Sequence, residues 1–153
     1  MRALSMSLLA LAAAACGPGA PKTGTARFRF QVADNAKMSS SLTDPLMGTI
    51  YGNVFLVEDV SITGPRSDAM EFQFVEVAGV DVRTGVSAKD FVTKELEPGK
   101  YVFLGFFDVD GNGAAMKDPD TGDPVTLPRT NEFEITAGAQ VDRLVLFELI
   151  YNN

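Results

Sequence analysis

From Ala26 to Val32 every second side chain is apolar, with Ala26, Phe28, Phe30 and Val32 alternating with Arg27, Arg29 and Gln31. Successive side chains of an extended chain point to opposite faces, so this spacing makes one dry row and one wet row. The same grammar returns down the chain. Thr49 to Val60 is rich in β-branched and aromatic types, and Glu71 to Val82 alternates around Phe72, Phe74, Val75, Val77, Val80 and Val82. A shorter run covers Asp90 to Leu96. Lys100 to Asp108 is the most apolar run, with Tyr101, Phe103, Gly105 and Phe107 on one side, which predicts a central strand. Asn131 to Thr136 and Val141 to Tyr151 complete the set. Turn-forming groups separate these runs, among them Thr63-Gly64-Pro65, Glu97-Pro98-Gly99, Asp110-Gly111-Asn112-Gly113 and Ala137-Gly138. The expected fold is all-β: a single antiparallel β-sandwich of about seven strands. No stretch is convincingly helical, and residues 33–47, with Ser39-Ser40-Ser41 and Asp44-Pro45, are expected to form a long loop.

The first residues have a different character. Arg2 gives a positive start, Leu4 to Ala12 is mostly apolar, and Ala13-Ala14-Ala15 leads directly to Cys16, the only cysteine. These are the parts of a secretory signal, and the apolar stretch is too short for a bilayer span of about 20 residues. Leu11-Ala-Ala-Ala-Ala-Cys16 resembles the lipobox of bacterial lipoproteins, with Ala13 at the position where that family usually carries leucine. The resemblance implies removal of residues 1–15, acylation of Cys16 with palmitate-type chains, and stable membrane attachment through more than one chain. Gly17 stands where aspartate marks inner-membrane retention, so the resemblance points to an outer-membrane lipoprotein of the cell envelope, facing the periplasm or the surface. Residues 16–24 then form a Gly/Pro tether, and residues 25–153 form the domain.

Composition narrows the chemistry. The chain has 153 residues and a formal net charge of −7, which becomes one unit more negative when Arg2 leaves with the signal. An acidic surface argues against nucleic acid as a partner. Histidine and tryptophan are both absent. Once Cys16 is acylated no free thiol remains, so Ser-His and Cys-His nucleophiles and most catalytic zinc sites have no residues to build them. The chain is therefore expected not to be an enzyme.

One stretch carries metal chemistry. Asp108, Asp110 and Asn112 place oxygen-bearing side chains at relative positions one, three and five, with Gly113 at position six and the Ala114 carbonyl following it. Calcium takes about six to eight oxygens, and alternate residues of a tight loop turn theirs inward. The spacing resembles the start of an EF-hand or dockerin-type loop, although Pro119 occupies position twelve where a bidentate glutamate would stand. Asp118 or Asp120 is expected to close the shell instead, with Asp123 nearby. Asp, Asn and Gly also form turns after strands without any ion, and both readings remain open in the sequence.

Leu96-Glu-Pro-Gly-Lys-Tyr101 and the strand after it, running into Val109-Asp-Gly-Asn-Gly113, resemble the strand-turn-strand unit of transthyretin-like or carboxypeptidase-regulatory-like domains. The likeness covers fewer than twenty residues and implies a prealbumin-like, Ig-like sandwich. Together these features lead to the expectation of a lipid-anchored structural or interaction module that binds another envelope protein, with calcium in the 108–123 loop. The alternative is a carbohydrate- or small-ligand-binding module using Tyr51, Tyr101 or Tyr151. A hydrolase built on carboxylates alone is a third and weaker reading.

Overall fold

A computed structural model describes residue 19, residues 21–39 and residues 46–152. Residues 1–18, which include Cys16 and the start of the tether, residue 20 and residues 40–45 lie outside the described residues.

The alternating runs become strands. They are β1 (Thr25–Val32), β2 (Met47–Leu56), β3 (Val60–Ser61), β4 (Gly64–Pro65), β5 (Gln73–Asp81), β6 (Asp90–Val92), β7 (Gly99–Asp108), β8 (Pro124–Thr126), β9 (Glu132–Ile135) and β10 (Gln140–Ile150). A six-residue helix, α1 (Asp34–Ser39), begins the stretch expected to be loop, opening on Asp34 and tied back by an Asp34–Lys37 ion pair. This corrects the expectation of a loop throughout 33–47. So short a segment has no room for the helical repeat by which a sequence announces a helix.

One eight-stranded sheet holds most of the fold, in the order β5-β2-β7-β8-β10-β1-β6, with β9 also paired to β7. β8 and β9 lie one after the other along the same edge of β7, at Phe106↔Val125 and at Gly99↔Ile135 through Val102↔Glu132. β7 is central, as its apolar character predicts. The expected antiparallel sandwich is corrected in two respects. The sheet curls into a nearly closed barrel of mixed strands, with no clear division into two stacked sheets. In addition, β1 and β10 pair in parallel over eight residues, from Thr25↔Gln140 to Val32↔Phe147. Alternation records only that one row of each strand faces an interior, which a barrel and a sandwich satisfy equally, and it carries no information on strand direction.

The inward rows meet around Phe28, whose ring centroid lies 5.2 Å from Phe133 and 5.4 Å from Phe103. Phe107 and Phe147 form a tilted pair with ring centroids 5.9 Å apart. Two glycines make this packing possible. Gly52 and Gly105 are cross-strand partners, and a Cβ on either would fall 2.6 or 2.7 Å from the tip of the Phe103 ring. The ring occupies the space that two side chains would otherwise need.

Side chains complete the ladder where strands are short. Ser87 and Thr93, both buried, accept the N–H groups of Phe30 and Ala26 and so extend the three-residue β6 along β1. Asn131, fully buried in the gap between β8 and β9, accepts the Leu146 N–H and donates to the carbonyls of Leu146 and Leu127. Its carboxamide stands in for a peptide group beside β10.

Candidate cation loop

β7 delivers Asp108 to one pole of the barrel. Its carboxylate organises the loop that follows, with Oδ1 accepting the Gly111 N–H at 2.7 Å and Oδ2 the Gly113 N–H at 3.2 Å. Gly111 turns back with φ +83°, a conformation that a side chain disfavours. Gly113 is buried so closely that a Cβ would lie 2.9 Å from the Phe106 ring. Asp110 is exposed, and its two oxygens hold the backbone and side-chain nitrogens of Asn112.

The far end of the loop returns to the same place. Asp123 Oδ1 accepts from Val109 N–H at 3.3 Å, and Oδ2 accepts from Asp120 N–H at 3.2 Å. The Asp123 carbonyl accepts the Tyr151 N–H, which fastens this turn to the end of β10. Between the two ends, Lys117 folds onto the barrel. Its Nζ pairs with Glu76 at 3.1 Å and sits 4.0 Å above the Tyr51 ring, on a backbone held at φ +58°.

Three carboxylates therefore converge. One oxygen from each of Asp108, Asp110 and Asp123 lies within 4.8 Å of the others, and Asp108 and Asp123 are each only 1% exposed. Burial pushes the Asp123 carboxyl up to about 6, against the pull of its two backbone N–H partners, and the charges of Asp120 and Asp108 add to the rise. Buried like charges are unfavourable unless something offsets them, and a hard divalent cation does so with oxygen ligands. The arrangement offers three carboxylates to such an ion.

The expected ligands divide into two groups. Asp108 and Asp110 belong to the convergent group, and Asn112 adjoins it through Asp110. Asp118 and Asp120 are not part of that group, although the Asp120 backbone binds Asp123, and Ala114 is exposed. Asp123 supplies the third carboxylate. Its sequence signal is an acid placed directly before Pro124 at the head of a strand, after the turn at Gly122, and it stands fifteen positions from Asp108. The Asp108–Asp123 pair also bears on a carboxylate hydrolase. Both acids are almost fully covered and tied to backbone amides, whereas a general acid needs reach to a substrate.

The two ends of the barrel differ. Gly24, where the chain passes into β1, exchanges both backbone hydrogen bonds with Leu96, just ahead of β7, whereas Asp108 is the last residue of β7. Ten extended residues separate these poles by roughly 33 Å.

No protein-family model, curated protein or solved structure matches the chain.

Proposed function

We propose that this protein is a lipid-anchored, non-enzymatic interaction module of the bacterial cell envelope, held to the outer membrane by acylated Cys16. In this reading calcium at Asp108, Asp110 and Asp123 pins the distal loop in a structural role, and the partner is another envelope protein. The observation that carries it is polarity: the chain enters the barrel at one pole and the acidic loop stands at the other. A tether of residues 16–24 would then hold the loop-bearing pole away from the bilayer. The transthyretin-like likeness of residues 96–113 enters this reading only as the strand and loop that present the site.

The alternative, a carbohydrate- or small-ligand-binding module, has less to stand on. Tyr51 and Tyr101 are buried, at 4% and 2% exposure, and Tyr151 is itself only partly exposed.

The test is to express the whole chain in a bacterial host with radiolabelled palmitate. Label should enter the wild type and be lost in Cys16→Ala. A photo-reactive residue at Met116, 76% exposed on the distal loop, should give a discrete adduct with an envelope protein. An unlabelled wild type retaining residues 1–15, or the absence of any reproducible adduct, would overturn the reading.

A further inference from the structure

The outer face of a small barrel normally meets water, yet the outward rows of β2 and β7 are apolar through their middle apart from Asn53. Tyr51 and Phe55 of β2, and Val102, Leu104 and Phe106 of β7, all point away from the Phe28 core. Lys117 and its loop cover one end of this face. The rest forms a groove of two cavities, of about 470 and 440 Å³, which share Ile62, Leu127 and Pro128 as a common wall. Val102 lies in the first and Leu104 and Phe106 in the second, so the groove follows β7 for about 13 Å. The apolar walls are open to solvent: Ile62 is 79% exposed, Phe74 43% and Leu127 39%.

The rim carries an uneven charge. Glu71, Asp118 and Glu132 line the two cavities, and none has an ion-pair partner among the described residues. Of the two cations there, Lys117 is already engaged by Glu76, which leaves Arg129 as the single opposing charge. An elongated apolar trough with acids along its edge is complementary to an apolar chain carrying basic residues at its ends.

We infer that this groove docks an extended peptide segment of a partner protein, in which aliphatic or aromatic residues are flanked by lysine or arginine. The inference rests on the interaction-module reading and gives the partner a chemistry. Ile62 and Leu127 supply the apolar contact, and Glu71 and Asp118 select the basic flanks.

The test uses the whole chain in detergent and two fluorescein-labelled peptides, Lys-Leu-Val-Phe-Leu-Lys and the same core flanked by glutamate. Fluorescence anisotropy should show saturable binding of the lysine peptide that weakens as sodium chloride is raised. The glutamate peptide should bind about tenfold more weakly or worse. The double variant Ile62→Ser/Leu127→Ser should lower affinity about tenfold through lost apolar contact. Glu71→Lys/Asp118→Lys should lower it about threefold to tenfold and remove the salt dependence. All four positions are exposed, so these variants should fold. Equal binding of the two peptides, no saturable binding, or indifference to both double variants would overturn the inference. So would a chain dimer, detected by light scattering, that Ile62→Ser/Leu127→Ser dissolves. A negative peptide result leaves the Met116 adduct experiment intact, so the two readings fail separately.

Discussion

The backbone amide of Lys94 donates to Oε1 of Gln73 at 3.1 Å, across the line where the sheet's two edges, β5 and β6, come face to face. A second bond crosses the same line, from Lys89 Nζ to the Ala78 carbonyl at 2.7 Å. The barrel is thus closed along this seam by side chains in place of a ladder.

Each of these bonds is exposed, so each contributes modestly. Gln73→Ala and Lys89→Ala should cost about 1 kcal/mol apiece in urea denaturation. Hydrogen exchange should quicken selectively along β5, with β7 unchanged. A uniform rise over both strands would show that the seam has no local role.

The glycine pair is a sharper test. A Cβ at Gly105 would lie 2.3 Å from the Tyr51 carbonyl oxygen as well as against the Phe103 ring. Gly105→Ala should therefore destabilise by at least about 2 kcal/mol. Trimming the ring relieves only part of the overlap, so Gly105→Ala/Phe103→Leu should remain less stable than Phe103→Leu alone. Equal melting temperatures of those two variants would contradict this.

Asn131→Ala removes a buried carboxamide that satisfies three partly buried backbone groups. A loss of about 3 kcal/mol is expected. Asn131→Asp should be similarly damaging, because a carboxylate cannot donate to the carbonyls of Leu127 and Leu146.

Calcium at a hundredfold excess over its Kd should raise stability by about 2.7 kcal/mol relative to chelator, read from thermal melts. Asp108→Asn/Asp123→Asn should abolish both that gain and the calorimetric heat of binding. Identical melts of the wild type in calcium and in chelator would remove the ion from the proposed function.

Without calcium, acidity should help. The Asp123 carboxyl holds its proton up to about pH 6 in the folded protein, against an ordinary value of 3.8. Between those values the folded state binds more protons than the unfolded one, so stability falls as pH rises through this window and levels off above it. The drop should be on the order of 2–3 kcal/mol in chelator, and it should be absent in Asp123→Asn. A wild-type profile no steeper than that of the variant would place the Asp123 titration elsewhere.

What the sequence discloses here is local. The parity of Ala26 to Val32 and of Tyr101 to Phe107 correctly gives the inward rows, and the Pro98-Gly99 turn sets the start of β7. Asp108 and Asp110 could be read as neighbours because they share one loop. Asp123 could be placed near them but not chosen over Asp118 or Asp120, since its position depends on where the end of β10 holds the turn at Tyr151. The parallel pairing of β1 with β10, the seam at Gln73 and the role of Asn131 are hidden for the same reason. Each depends on segments that meet only after the sheet has curled, and a three-residue strand such as β8 is too short to show a period at all.

The parallel pairing of β1 and β10 also orders events in time. β1 gains its principal neighbour only once β10, far along the chain, has been made, so the barrel cannot close before then. Such long-range pairing folds slowly, and the apolar inward row of β1 stays uncovered on that side until the pairing forms.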